Sequence, residues 1–126
     1  MVSELVALEL KAHVPAKDFE LSKRFYQDMG FTLCWSSEGM AYLQFGPCGD
    51  ESKTAFLLEK REFGEHLQMH LLVKDADAWW GHIQAQNIPE RYKVDVGSPE
   101  DREWGIRDFT LFDPSGVLWR IGHSLD

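Results

Sequence analysis

The sequence predicts an α+β fold in which two β-α-β-β-β modules form a cleft between curled mixed sheets, with the helices outside. Three observations predict it. Short segments alternate between apolar and polar residues, as half-buried strands do. Two segments with helical spacing each follow an aspartate that suits an N-cap. The order of these elements recurs within a chain of 126 residues, which is the length of one domain.

The first module is predicted over about residues 5–60. It begins with a strand over 5–14, and Asp18 then caps a helix that runs from about Phe19 to Met29 and ends at Gly30. Turn residues separate the three strands predicted next, over 31–36, 40–45 and 54–59. In the first strand, the face expected to be buried comprises Leu8, Leu10, Ala12 and Val14.

The second module is predicted over about residues 66–123. It begins with a strand over 67–73, after which Asp75 caps a helix. Asn87 is expected to end this helix, because Pro89 prevents its continuation. Further strands are predicted near 91–96 and over 107–112 and 117–122. Of the aromatic residues here, Trp79 and Trp119 are expected in the core, and Trp80 either in the core or at an interface.

A constant offset relates the two modules. His13 and His70, Lys17 and Lys74, Asp18 and Asp75, and Gly30 and Asn87 are all 57 residues apart. This indicates a duplicated module, the alternative being chance matching between short alternating segments. Modules this small must share one core, so a single domain is predicted over 1–126. The polar strand faces then line the cleft, into which Lys11, His13, Gln68 and His70 are expected to project.

The charge and composition of the chain limit the classes of partner that it is expected to bind. The chain has 13 basic and 21 acidic residues and a net charge of −8, which disfavours nucleic acids and anionic membranes and makes a neutral or cationic small molecule easier to accommodate. No transmembrane segment or signal peptide is evident, which predicts a cytoplasmic protein. Cys34 and Cys48 form no CxxC pair, and both are expected to be free thiols in a reducing compartment.

Three segments carry a family resemblance. They are Asp18 to Phe31, then Val73-Lys74-Asp75 at the start of the second helix, and Asp113-Pro114-Ser115-Gly116 followed by Leu118 to Ile121. In order and spacing the chain resembles the vicinal oxygen chelate superfamily, which includes glyoxalases, extradiol dioxygenases, fosfomycin-resistance enzymes and bleomycin-resistance proteins. The segment Trp104 to Phe109 is most similar to the bleomycin-resistance branch. The resemblance implies a homodimer, an expectation that Trp80 and Phe63 support because neither has a certain core site.

The resemblance also implies where a metal would be bound. The metal enzymes of the superfamily carry ligands on the first and last strands of each module. Here those positions fall on Lys11 and Gln68, or in a shifted register on His13 and His70. The last strand of the first module offers Glu59 or its neighbour Leu58. In the second module the position that carries a glutamate in those enzymes is Arg120.

Arg120 weighs against a metal. A guanidinium offers only donors, and at about 4 Å from a divalent ion its repulsion would be on the order of 8 kcal/mol. Alternation places Arg120 opposite Trp119 and Ile121, where it is expected to meet Glu59, Asp108, water or an oxygen of a ligand. It is either a ligand anchor or a structural ion pair.

Three functions are compatible with these residues, and the least specific of them is an interaction domain that binds no small ligand. No nucleophile, Walker or dinucleotide-binding motif is present, so no catalytic residue is assigned. The favoured function is sequestration of a small, aromatic or cationic molecule in a metal-free cleft, as in antibiotic-resistance proteins of this type. The expected lining is Lys11, His13, Glu59, Gln68, His70, Trp104 and Arg120, with Trp104 either a lid over the cleft or a dimer contact. The alternative is a lyase, isomerase or dioxygenase that holds a divalent metal with His13, His70 and Glu59.

Overall fold

Two four-stranded sheets build the fold, each with a helix packed against one face. The computed structural model describes residues 5, 8–49, 54–62 and 67–126. The first sheet has the strand order β1-β4-β3-β2 and the second has the order β5-β8-β7-β6. In each, the first strand of the module pairs in parallel with the last, and the other pairs are antiparallel. The predicted α+β class with two β-α-β-β-β modules is confirmed.

The elements of the first module follow one another in the predicted order, whereas the second module contains a short helix and a short strand that were not predicted. The first module comprises β1 (His13–Ala16), α1 (Phe19–Met29), β2 (Thr32–Ser36), β3 (Met40–Gln44) and β4 (Ala55–Lys60). The second comprises β5 (Gln68–Leu72), α2 (Ala76–Ala85), α3 (Ile88–Tyr92), β6 (Glu100–Asp101), β7 (Ile106–Phe112) and β8 (Leu118–Ser124).

The helix boundaries follow from the capping residues. Asp18 accepts a hydrogen bond from the backbone N–H of Leu21 at 3.1 Å, and Asp75 accepts one from Ala78 at 3.1 Å. Each carboxylate satisfies an N–H that has no partner inside the helix, and it lies at the positive end of the helix dipole. Gly30 ends α1 with a φ of 123°, a conformation that suits glycine.

The first strand is shorter than predicted, and its apolar face is buried only in part: Val14 is fully buried and Ala12 is half-buried. The parallel pairing starts with His13 opposite Leu57, and β4 itself begins only at Ala55. The described residues before Lys11, which are Leu5 and 8–10, therefore lie outside the strands of the first sheet. Leu8 and Leu10 are 82% and 93% exposed, so the prediction that they lie in the core is wrong.

A short helix replaces the strand predicted near 91–96. Asn87 takes the left-handed conformation, with a φ of 59°, and separates α2 from α3. Pro89 lies in the first turn of α3, where its missing N–H breaks no helical hydrogen bond. Ile88 and Tyr92 lie four residues apart on the buried face of this helix, which has no strand periodicity. Of the predicted strand, Val96 makes an isolated bridge to Leu111.

A buried polar bridge joins the two modules. The Tyr26 hydroxyl of α1 donates to Asp113, which precedes β8, and the Trp119 indole N–H donates to the Tyr26 oxygen at 3.0 Å. Asp113 also accepts backbone N–H groups of Ser115 and Val117 at 2.9 and 2.8 Å. Trp119, only 2% exposed, is in the core as predicted and packs on the rings of Tyr26, Phe31 and Phe56. The two modules therefore share one core.

Cys34 and Cys48 form a disulfide, and the prediction of free thiols is wrong. Cys34 lies at the irregularity in the β2–β3 pairing, between Leu33 and Trp35, and Cys48 lies in the loop after β3. Their Cα atoms are 5.5 Å apart, within the usual range for a disulfide. The bulge and the loop bring together two residues 14 positions apart, a proximity that the spacing of the cysteines does not reveal.

The bridge predicts a pH-dependent loss of stability in Tyr26→Phe. Burial raises the pKa of Asp113, and hydrogen bonds to the carboxylate, including that from Tyr26, oppose this rise. A raised pKa in the folded state means that the contribution of Asp113 to stability falls as pH rises from its ordinary value of 3.8 through the folded value. Without the hydroxyl the pKa rises further, so we expect a loss of about 2 kcal/mol at pH 7 and a smaller loss near pH 4.

Urea unfolding at both pH values measures this difference. Tyr42→Phe is the matched control, because the Tyr42 hydroxyl makes an exposed hydrogen bond to Glu9. This variant should lose less than about 1 kcal/mol at either pH. Equal losses for Tyr26→Phe at pH 7 and pH 4 would contradict an ionised Asp113 in the bridge.

The disulfide predicts that reduction destabilises the chain. Crosslinking residues 14 positions apart removes conformational entropy from the unfolded chain, about 3 kcal/mol for a loop of this size. Unfolding of the wild type should therefore shift to lower urea when a phosphine reductant is added. The Cys34→Ser, Cys48→Ser double variant should match the reduced wild type and should not respond to the reductant. Titration of two free thiols in the native, unreduced protein would refute the pairing.

Candidate functional site

Each sheet buries one face in the shared core and presents the opposite face, here called its open face. On β8, Trp119 and Ile121 are buried, whereas Leu118 and Arg120 between them are half-buried. The same alternation places Glu59 of β4 on the open face of the first sheet. Sequence periodicity thus assigned the face of Arg120 correctly, whereas for β4 it had left the choice between Glu59 and Leu58 open.

The first sheet gathers a polar cluster around Glu59. His13 Nδ1 lies 2.7 Å from Glu59 Oε1, and Arg61 Nε lies 2.9 Å from Glu59 Oε2. Arg61 and then His13 lower the pKa of Glu59, so this carboxylate is charged at neutral pH. Two of the predicted site residues, His13 and Glu59, are therefore in direct contact.

Lys11 belongs to a second group on the same sheet. Its ammonium lies 2.8 Å from Glu9 and 5.2 Å from the centre of the Tyr42 ring, while the Tyr42 hydroxyl donates to Glu9 at 2.9 Å. Glu9 raises the pKa of Lys11, so the nitrogen stays protonated and is not available as a metal ligand. Trp35, opposite Tyr42 on β2, is 53% exposed and adds an aromatic surface.

The second sheet places Arg120 against a buried carboxylate. Arg120 Nη1 lies 3.4 Å from both oxygens of Asp108, one of the partners expected for it, and Arg102 Nε lies 2.8 Å from Asp108 Oδ1. Asp108 is fully buried beneath the two guanidinium groups. Gly122, its partner on β8, leaves the necessary room, because a Cβ there would lie 2.8 Å from Asp108 Cβ. Arg102 was not identified from the sequence, since nothing local signals its contact with β7.

Gln68 and His70 lie on β5, and both are exposed. His70 also lines a groove of about 280 Å³ at the junction of the modules, together with Phe31, Ala55, Leu72 and Trp119.

Trp104 lies in the turn between β6 and β7 and is 61% exposed. This turn is held by a backbone hydrogen bond of 3.1 Å from Gly105 to Arg102. Whether Trp104 covers a ligand stays a prediction.

The predicted residues thus form two sets. Lys11, His13 and Glu59 share the first open face, and Gln68, His70 and Arg120 share the second. Among the described residues, no hydrogen bond or ion pair joins one set to the other.

The donor set does not fit a divalent metal. In the described ranges, no group of three or more histidine, cysteine, aspartate or glutamate side chains is placed to hold one. His13 and Glu59 are together, but His70 lies on the other sheet. Arg120 offers no acceptor, and the nearby carboxylate of Asp108 is already bound by two guanidinium groups.

The homodimer prediction drew support from Trp80 and Phe63, and only Trp80 lies among the described residues. The Trp80 indole N–H donates to the carbonyl of Gly97 at 2.9 Å, so this side chain has a partner within the chain. Phe63 lies outside the described residues. The dimer stays a prediction.

In the described part of the chain, no helix has both the length and the apolar character that crossing a bilayer requires.

Comparison with known protein families identifies one family model that matches most of the chain. Residues 9–121 match the model of the Glyoxalase/Bleomycin resistance protein/Dioxygenase superfamily. No curated protein sequence gives a significant match.

Solved structures support the same fold. A bleomycin-binding protein complexed with bleomycin superimposes with a TM-score of 0.77 at 21% identity, over 92% of this chain and 98% of that one. An antibiotic-binding protein from Streptomyces sp. CB03234 gives 0.69 at 25%, over 94% and 97%. A lactoylglutathione lyase from Agrobacterium tumefaciens gives 0.69 at 14%, over 94% of both chains. The fold therefore accommodates binding proteins and enzymes alike.

Proposed function

Because the chain belongs to the glyoxalase/bleomycin resistance protein/dioxygenase superfamily, we propose that it binds a small molecule non-covalently at the open faces of its sheets. The observation that carries this proposal is Arg120, which stands where the metal enzymes of the superfamily are expected to carry a glutamate and which lies against Asp108. A cation fixed at that position opposes metal-dependent chemistry and suits the recognition of a ligand.

The character of the faces supports an aromatic or cationic ligand. Trp35 and Tyr42 present ring surfaces on the first sheet, and the carboxylates of Glu9 and Glu59 lie on the same side. Aromatic surfaces with a few fixed polar groups are the usual composition of a small-molecule site. Trp104 adds a third exposed ring at the tip of the β6–β7 turn. Likeness to proteins that bind bleomycin and another antibiotic supports the same class of function.

We expect Trp104 to contact the ligand. With bleomycin as the probe, the wild type should show a saturable change in tryptophan fluorescence, and Trp104→Phe should keep its fold but lose most of that change. The measurement is a fluorescence titration with circular dichroism as the fold check. Trp80→Phe is the matched control, because Trp80 belongs to α2 and its indole is bonded to Gly97. An unchanged response in Trp104→Phe would remove this residue from the site, and absence of saturable binding would oppose bleomycin as a ligand.

The metal-dependent alternative has its own test. The wild type, dialysed after exposure to iron, nickel, zinc or manganese, should hold far less than one equivalent by elemental analysis. Arg120→Glu removes the opposing charge and adds an oxygen donor, so this variant should retain more nickel or zinc. If the wild type itself retains about one equivalent and loses it on substitution of His13 or His70 by glutamine, the binding proposal fails and the enzyme takes its place.

A further inference from the structure

Three donor-bearing side chains form one row across the open face of the second sheet. His70 of β5 is the register partner of Arg120 of β8, and Arg120 is also the register partner of Thr110 of β7. Directly paired residues in adjacent strands project to the same face. The sheet register therefore places an imidazole, a guanidinium and a hydroxyl side by side.

Arg120 keeps donors available in this row. Its two hydrogen bonds to Asp108 both use Nη1, at 3.4 Å. Among the described residues, Nε and Nη2 of Arg120 take no part in this pairing. The side chain is 36% exposed, so a ligand can reach it. A planar guanidinium with free N–H groups is suited to carboxylate and phosphonate oxygens.

Thr110 is left accessible by the glycine beside it. Gly97 donates its backbone N–H to the Thr110 carbonyl at 2.8 Å, which fixes the two residues together. A Cβ on residue 97 would approach Thr110 Oγ1 to 3.2 Å, so a larger residue would crowd the hydroxyl. The absence of a side chain at Gly97 thus leaves the Thr110 hydroxyl less crowded.

The charges around this row are formally balanced. Arg102 and Arg120 share the single buried carboxylate of Asp108, and Glu100 lies 3.7 Å from Arg102, so two guanidinium groups face two carboxylates. Glu100 is largely exposed, so solvent screens its charge. An incoming oxyanion would therefore meet the N–H groups of Arg120 and not an unpaired carboxylate.

We infer that His70, Arg120 and Thr110 form a subsite for an oxyanion, a carboxylate or phosphonate group carried by the bound molecule. The inference rests on the proposed small-molecule binding and assigns the polar end of the ligand to the second sheet. Next to His70, the groove of about 280 Å³ at the module junction offers the exposed side chain of Leu72 to an apolar body, and the buried ring of Phe31 forms part of its wall. An aromatic acid combines both features.

The test compares benzoate, phenylphosphonate and benzyl alcohol, which share one ring and differ in charge. Two-dimensional 15N NMR of the wild type should show saturable shifts at His70, Thr110 and Arg120 with at least one of the two anions. Benzyl alcohol should bind at least tenfold more weakly. The relative affinity of the two anions distinguishes a carboxylate from a phosphonate as the preferred group.

Single substitutions distinguish anion binding by the row of His70, Arg120 and Thr110 from a general effect of charge. Arg120→Gln should weaken anion binding at least tenfold, and Thr110→Val, which keeps the side-chain shape, about threefold or more. Arg102 still neutralises Asp108 in Arg120→Gln, so the fold is retained. The matched controls are Arg24→Gln on α1 and Thr32→Val on β2, both exposed and both away from this sheet, and each should change affinity less than twofold.

The outcomes distinguish the two proposals. If benzyl alcohol binds as well as benzoate, or if Arg120→Gln leaves anion binding unchanged, the oxyanion subsite is refuted while small-molecule binding stands. If neither anion shifts the row but bleomycin binds, the subsite alone fails. If no probe, bleomycin included, binds saturably, both proposals fail.

Discussion

The buried bridge between Tyr26, Asp113 and Trp119 is the interaction on which the arrangement of the molecule depends. An unpaired carboxylate at this depth would be costly, and the bridge satisfies Asp113 with groups from both modules. The Ser115 hydroxyl, in the same turn, accepts the backbone N–H of Lys17 at 2.8 Å and ties the loop before α1 to the second module. With the inner faces of both sheets committed to one core, the opposite faces remain for function.

Local signals in the sequence were sufficient for α1, α2 and most of the strands, because caps and periodicity act over a few residues. Asp18, Asp75 and Gly30 fixed helix ends, and alternation placed Trp119 inward and Arg120 outward. Errors arose where a distant contact decides. Whether Leu10 is buried depends on where β4 begins, and the Cys34–Cys48 pairing depends on a bulge and a loop.

The contacts of the candidate site were likewise predictable from the sequence only in part. The sequence predicted Asp108 as one of several partners for Arg120, since both lie on outward positions of neighbouring strands. It did not reveal Arg102, which reaches Asp108 from the β6–β7 turn. Nor did it reveal Thr110, whose relevance appears only in the register that aligns it with Arg120 and His70. Strand pairing brings side chains of different strands together in a site. Sequence periodicity alone does not specify that pairing.

The register also shows how the duplicated modules differ in charge. His13 pairs with Leu57 and is followed by Pro15 opposite Glu59, whereas His70 pairs with Arg120 and is followed by Leu72 opposite Gly122. Arg120 thus corresponds to Leu57, and Gly122 corresponds to Glu59. In the second module the carboxylate next to the histidine has been replaced by a glycine, whose space accommodates Asp108 beneath two guanidinium groups. Equivalent positions of the two modules therefore differ in chemistry, because Glu59 of the first sheet corresponds to Gly122 and Arg120 of the second sheet corresponds to Leu57.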